Sequence, residues 1–491
     1  MKTSIQVTHS SQTIEAEIGE DLLTALRRAG SAPDAPCGGR GTCGKCRVLV
    51  DGKEVLACQT KVREGMAVAL AEASRPEILT KSNVPVQRTA PGQEGFLLAF
   101  DAGTTTLVCY LLDGKTGREL AVSNMLNPQA SYGADVVTRI QAAMHGGMDA
   151  LCSVLREGMS RQIQEVCGSA GIQAEEISVV SIVGNPCMQQ LFLGILPQNL
   201  AEIPFKPVLT RGEIRPAREY LPICKNASLL VVPDISGYVG ADTIGCVLST
   251  EMYDAEETVL MVDIGTNGEM VLGGKKGMVA CATAAGPALE GAGIRFGMRG
   301  AAGAIDHVWL EDGALRYSVI GGGDAAGICG SGLIDAAAAA LDAGLLNRRG
   351  KILGGEEADG ERVIRLSGNV YLTQEDIRQL QLAKGAIAAG IELMAAQMDL
   401  TLEQIDRVML AGAFGSFMRP ESACRIGLLP AALLGKITAA GNAAGEGAKL
   451  LACGQPDLSL AQRLADEIEF LELAELPAFR RVFAKNMGFA V

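Results

Sequence analysis

Two stretches, "FDAGTTTLVCYLL" and "VDIGTNGEMVLGG", share one layout although about 160 residues separate them. In each, an apolar run ends on an aspartate, glycine and threonine follow, and a second apolar run begins. Each predicts a β-hairpin with a polar tip, one at 101–106 and one at 263–269. The aspartates, Asp101 and Asp263, can each hold a magnesium ion, usually through water. Gly103 and Gly265 permit a turn tight enough to aim backbone N–H groups at a phosphate. Thr104, Thr105, Thr106, Thr266 and Asn267 add further donors. One such hairpin is a weak signal, because any exposed turn has this composition. Two of them predict a duplicated fold that clamps phosphates between its halves.

A third piece is "RVMLAGAFGSFM", 407–418, an apolar strand running into Gly412, Gly415 and Ser416. Glycines directly after a strand let a ligand, commonly a nucleoside, lie against bare backbone. "GNAAGEGAKLLA", from Gly441, predicts a helix start with a similarly open glycine surface. "DIRQLQLAKGAIAAGIELM" predicts an amphipathic helix with Ile377, Leu380, Ile387 and Ile391 on one side. Lys384 on that helix is a candidate to reach a nucleotide. "DGKTG" at 113–117 is no Walker A loop, because Cys109 stands where that loop needs glycine. No G-x-G-x-x-G follows a strand, and His9, His145 and His307 form no metal-ligand pair.

The first seventy residues have another character. "SIQVTH" and "TIEAEI" alternate as strands, "DLLTALRRAG" has helical spacing stopped by Gly30, and "RVLVDGKEVLAC" is a hairpin turning on Asp51-Gly52. This mixed pattern around a cysteine loop predicts a β-grasp fold. The cysteines run C-x5-C-x2-C-x11-C: Cys37, Cys43, Cys46 and Cys58. Four thiolates are what a 2Fe–2S cluster requires. The glycines among them, Gly38, Gly39, Gly41 and Gly44, let the backbone curl around it. A zinc site is the alternative, but such sites commonly pair two short C-x2-C hairpins and only one is present.

The chain has 491 residues, enough for about three domains. The polar, proline-bearing stretch 72–95 predicts a flexible linker spanning roughly 27 Å on average. The expected organisation is a cluster domain at 1–71, the linker at 72–95, a first clamp half at 96–206 and a second at 207–491. The 60 glycines and few aromatics suit α/β layers. A net charge of -13 without a basic stripe speaks against nucleic acid. "MKTSIQVTHS" has no signal-peptide core. The most apolar run, "GLIDAAAAALDAGLL", carries Asp335 and Asp342 and is too short to span a bilayer. A cytoplasmic protein with reduced cysteines is expected.

The three glycine-bearing motifs, in this order, resemble the acetate kinase, sugar kinase, Hsp70 and actin (ASKHA) superfamily. The resemblance matches its phosphate-1, phosphate-2 and adenosine motifs to 101–106, 263–269 and 410–416. Joined to a ferredoxin-like domain, the chain resembles the ATP-dependent reductive activators of corrinoid enzymes. That likeness extends through "VGNPCMQQLFLGI" (183–195), "GYVGADT" (237–243), "TAAGPALEGAGIRFGMRGAAGAI" (283–305), "GICGSGLIDA" (327–336) and "QEDIRQLQLAKGAIAAGIE" (374–392). It implies a 2Fe–2S cluster, ATP and Mg2+ as cofactors, and a task of returning Co(II) of a corrinoid protein to Co(I). The implied partners are a corrinoid protein of a methyl-transfer system and a low-potential electron donor, with a homodimer as the assembly. The alternative is an activator of a 2-hydroxyacyl-CoA dehydratase type. Those activators share the clamp but hold a 4Fe–4S cluster between subunits and lack the ferredoxin domain.

Overall fold

In a computed structural model the described residues are 2–8, 12–33, 35, 37–41, 45–70, 78–84, 91–265, 267–455 and 457–490. The N-terminal domain is a five-stranded sheet in the order Gln12–Glu17, Lys2–Val7, Ala67–Leu70, Arg47–Val50, Lys53–Leu56. Lys2–Val7 runs antiparallel to Gln12–Glu17 and parallel to Ala67–Leu70. Alternation along the strands turns Ile5, Val7, Val48 and Val50 inward. Helix Leu22–Arg28 lays Leu22, Leu23 and Leu26 on them. Each of those side chains contributes about 1.5–3 kcal/mol by leaving water. The hairpin turns where expected, with Asp51 at φ 48° and Gly52 at φ 79°. Both are left-handed, as the tightest hairpin turn demands. This is the β-grasp arrangement.

The rest of the chain carries two sheets with one plan. In the first, Phe96–Ala102 and Thr106–Asp113 form a hairpin that Glu119–Leu126 continues on one side. Ile177–Val183 and then Ser228–Val231 join in parallel on the other side, and Glu213–Pro216 closes the edge. The second sheet repeats this. Val259–Ile264 and Gly268–Gly274 form the hairpin and Gly277–Thr283 continues it. Arg407–Ala411 and then Ile437–Gly441 add in parallel on the far side. Parallel neighbours need crossovers, and a long helix lies in the first crossover of each half: Met148–Ala170 in the first half, Gln374–Gln397 in the second. The expected duplication is therefore present across five strands; the sixth differs, since Glu469–Phe470 adds in parallel beside Gly277–Thr283, at the opposite edge from the one Glu213–Pro216 takes.

Two expectations about organisation need correction. The boundary between the halves does not fall at 206/207. Glu213–Pro216 and Ser228–Val231 belong to the first sheet, and the compact unit containing it runs to Val231. Prolines at 204 and 207 interrupt the apolar pattern there, but a short strand supplying a parallel neighbour needs only four residues.

Nor is all of 72–95 without fixed partners. Ser82 forms an antiparallel bridge with Gly441, Asn83 N donates to Ala440 O (2.9 Å) and Asn442 N donates to Lys81 O (3.0 Å). Farther on, Gln93 N donates to Gly114 O (2.9 Å). These contacts use main-chain groups, which a polar composition does not reveal. Residues 71–77 and 85–90 lie outside the described set. Among the described residues no helix is long and apolar enough to cross a membrane.

Candidate functional site

The cysteine loop follows helix Leu22–Arg28. Cys37 and Cys46 are buried and Cys58 is half-buried, while Cys43 and Gly44 lie outside the described residues. Gly38, Gly39 and Gly41 have φ of 68°, 96° and 77°, so the loop curls through left-handed positions that other residues resist. Cys46 Sγ and Cys58 Sγ approach to 3.3 Å. Two thiolates on one tetrahedral metal with bonds of about 2.3 Å stand about 3.8 Å apart, so this pair fits one iron. Burial first, and Cys46 second, push the Cys58 thiol up to about 11. Among the described residues no group of three or more His, Cys, Asp or Glu side chains converges as metal ligands do.

The first hairpin places Asp101 near the end of Phe96–Ala102, opposite Val108 on one neighbour and Val183 on the other. Beyond it, each carbonyl of the tip is held from behind. Asn127 Nδ2 donates to Gly103 O (2.9 Å), Arg139 Nη2 to Thr104 O (2.6 Å) and Asn127 N to Thr105 O (2.9 Å). A trans peptide points its N–H opposite its carbonyl. The N–H groups of Thr104 and Thr105 are thereby aimed away from that backing, as a phosphate cradle requires. Asn185 Nδ2 donates to Thr104 Oγ1 (2.9 Å), which turns the hydroxyl proton toward other acceptors. Asn185 also caps helix Pro186–Leu193 through Met188 N (3.1 Å). Thr106 begins the returning strand.

The second hairpin is backed differently. Asp263 lies between Glu269 and Ala411 in the sheet. Gly265 N donates to Asn267 O (2.9 Å) to close the tip, and Thr266 lies outside the described residues. Gly412, at φ 79°, passes so close that a Cβ there would stand 2.6 Å from Asp263 Oδ1. Gly415 likewise has no room for a side chain, which would meet Leu410 Cβ at 2.8 Å. Ser416 Oγ donates to Gly412 O (3.1 Å) within the short helix Gly412–Phe417. Desolvation, then the Asp242 and Asp263 carboxylates, hold Glu269 well above the usual carboxylate range. Asp234 is raised by burial and then by Asp242.

Sequence reasoning missed Asn127, Arg139, Asn185, Asp234 and Asp242 as parts of these surroundings. Asn185 and Asp242 sit in stretches whose family resemblance was legible, but nothing in those stretches tells which hairpin each serves.

Two expectations fail. Lys384 is fully buried, but its ammonium is taken by the carbonyls of Gly488 and Gly427 and stands 5.6 Å from the Phe489 ring centroid. It anchors the C-terminal segment instead of reaching for a nucleotide. The glycine surface at Gly441 is not open: a Cβ there would meet Lys81 O at 2.5 Å. Gly447, on the following helix, is spent on close packing against Gly245 of helix Ala241–Thr250.

A β-grasp domain with a cysteine loop, followed by a duplicated five-strand plan with two aspartate hairpins, defines a 2Fe–2S domain carried on an ASKHA protein. Family models match three successive stretches of the chain. Residues 5–63 match the 2Fe-2S iron-sulfur cluster binding domain, 96–255 the RACo middle region, and 257–491 the C-terminal domain of RACo, the ASKHA domain. The corrinoid activation enzyme RamQ of Eubacterium limosum is 30% identical over 559 aligned positions, covering 92% of this chain and 93% of the relative. The [Co(II) methylated amine-specific corrinoid protein] reductase of Methanosarcina barkeri is 27% identical over 75% of this chain and 70% of the relative. The solved structure of a reductive activator for corrinoid, iron–sulfur protein superimposes with a TM-score of 0.71 at 29% identity, covering 99% of this chain and 98% of that one. The chain belongs to the RACo family of corrinoid activation enzymes.

Proposed function

We propose that this protein uses ATP to drive reduction of a Co(II) corrinoid protein to the Co(I) state that accepts methyl groups. The observation that carries the reading is the joining, in one chain, of a cysteine loop suited to iron with phosphate-type hairpins on a duplicated fold. A 2Fe–2S cluster supplies a one-electron donor, at roughly −400 mV if plant-type. Cys46 and Cys58 would hold one iron of it, leaving Cys37 and Cys43 for the other. The Co(II)/Co(I) couple lies lower, and each 100 mV of mismatch opposes transfer by about 2.3 kcal/mol. ATP helps only if the states before and after transfer differ in affinity for nucleotide or partner.

Asp101 and Asp263 orient a magnesium-bound phosphate in this reading. Gly103, Thr104, Thr105, Thr106, Gly265, Thr266 and Asn267 donate to phosphate oxygens, and Gly412, Gly415 and Ser416 receive the nucleoside. The protein works as a homodimer recharged by a low-potential donor. A dehydratase activator is disfavoured, because it gives the N-terminal cysteine loop no task.

One relative is a reductase of a methylated amine-specific corrinoid protein, which makes that class the first partner to try. The test is anaerobic incubation of the iron-loaded chain with a Co(II) corrinoid protein and a low-potential reductant, with and without Mg-ATP, following cobalt absorption. Co(I) should accumulate only with ATP. Equal yields with and without ATP, across corrinoid partners, would sink the reading.

A further inference from the structure

The first hairpin and the cysteine loop lie in the same compact unit, and one short turn touches both. The turn is the 3-10 segment Pro128–Ser131 with Tyr132 and Gly133 after it, capped by Asn127, whose Oδ1 accepts from Gln129 N (3.0 Å). Arg139, on helix Val136–Ala142, is fully buried behind it. Its guanidinium forks: Nη2 donates to Thr104 O at the hairpin tip (2.6 Å), Nε to Gly133 O (3.0 Å) and Nη1 to Gln129 Oε1 (3.2 Å). A rigid planar fork holding three acceptors cannot let one move without displacing the others. Asn127 makes a second tie, since its side chain binds Gly103 O while its Oδ1 caps the turn.

The other side of the turn is the seat of the cysteine loop. Arg27, from helix Leu22–Arg28, donates through both Nε (2.6 Å) and Nη2 to Ser131 O. Its guanidinium carbon stands 4.9 Å from the Tyr132 ring centroid. The same guanidinium backs the loop, where a Cβ on Gly39 would stand 3.6 Å from Arg27 Nη2. Arg27 also lies within electrostatic reach of Cys37, Cys46 and Cys58. Gly38 completes the seat, with a Cβ position only 3.1 Å from Tyr132 O.

We propose that Arg139 and Arg27 are positioning residues that couple the tip of the first hairpin to the seat of the cysteine loop through the turn at 128–133. Phosphate drawn into or released from the tip moves Thr104, Arg139 carries that displacement to Gln129 and Gly133, and Arg27 transmits it from Ser131 to the loop. The inference rests on the reading of the first hairpin as a phosphate site and supplies what that reading lacks, a physical route from nucleotide to cluster. It also gives the seat a two-state character: the loop is held when Ser131 and Tyr132 are presented and loosened when they are withdrawn.

The test uses the full iron-loaded chain and a non-hydrolysable ATP analogue with Mg2+, so that no turnover enters. Backbone hydrogen exchange is followed in peptides covering 127–133 and 35–46, in the wild type and in Arg27→Gln, with analogue affinity and iron content measured in parallel. In the wild type the analogue should change exchange in both peptides, by roughly tenfold if two hydrogen bonds of the seat are made or lost. In Arg27→Gln the response at 127–133 should persist and that at 35–46 should shrink, with analogue affinity unchanged. A side chain serving fold alone would leave the nucleotide response of both peptides as it is. If the analogue binds and 35–46 does not respond in the wild type, or responds equally in Arg27→Gln, the coupling is wrong while the phosphate site stands. If the analogue does not bind, the phosphate site itself is wrong and the coupling falls with it.

Discussion

The two hairpins share a strand plan but differ in what stands behind the tip. At the first, three carbonyls are gripped by Asn127 and Arg139, and Asn185 sets the Thr104 hydroxyl. At the second, bare glycine backbone at Gly412 presses on Asp263, and Glu269 is kept above its ordinary range by desolvation and by nearby carboxylates. The duplication preserved the strand plan and an aspartate near the end of the first strand of each hairpin. It left the support free to diverge, one tip tied mechanically to its neighbours and the other set in an acidic environment. A repeat in sequence therefore teaches which strand plan recurs, and the supporting residues teach how each tip is held.

The largest expected effect tests whether the two tips are equivalent toward phosphate. Asp101→Asn and Asp263→Asn should each lower ATP turnover by about 100-fold, the result of losing roughly 3 kcal/mol of transition-state stabilisation. Iron content and the cluster spectrum should not change. Wild-type turnover in either variant would remove that hairpin from the phosphate site.

A smaller effect separates the supports. Gly412→Ala must place a Cβ against Asp263 at a left-handed φ, a conformation costing roughly 1–2 kcal/mol for other residues. Turnover should fall by roughly tenfold, consistent with an aspartate displaced by a fraction of an ångström. Gly103→Ala has Thr106 O at 3.0 Å as its one tight contact and has no left-handed requirement, so it should lose less. Steady-state kinetics on the pair decides it, and the reverse order would show that the second tip does not depend on Gly412.

The smallest effect on turnover, and the clearest in stability, concerns Lys384. Burial lowers its ammonium to about 8, against roughly 10.4 for an unfolded-chain lysine. Between those values the unfolded chain binds more protons, so stability should rise as pH goes from about 8 to about 10.4. Below 8 the cost of the buried charge is fully present. Lys384→Met should abolish that rise in thermal-unfolding midpoints measured across the range, with ATP turnover unchanged. A large loss of turnover would return Lys384 to the nucleotide site.

Much of this was legible before any coordinates. The alternation of Ile5 and Val7, the turn at Asp51-Gly52, the helix through Ile377 and Ile387 and both aspartate hairpins follow from patterns a few residues long, and the structure has each of them. The cysteine spacing pointed to iron, and Cys46 Sγ and Cys58 Sγ lie 3.3 Å apart. Where reading failed, the partner was distant in sequence. Lys384 looked available because Gly488 lies more than a hundred positions away. Gly441 looked open because the segment covering it comes from 81–83. The stretch 72–95 looked free because hydrogen bonds made by main chain leave no mark in composition.

The sequence by itself determined the local elements and the chemistry they can offer: period-2 and period-3.6 apolar patterns choose strand or helix, glycines permit the turns, and cysteine spacing names the metal class. Tertiary structure alone decided which groups meet. Gly412 finds Asp263 because a crossover brings Arg407–Ala411 in parallel beside Val259–Ile264, and Arg139 finds Thr104 because helix Val136–Ala142 folds back on the first hairpin tip. Such meetings depend on the packing of whole layers, and no short window of residues contains that information.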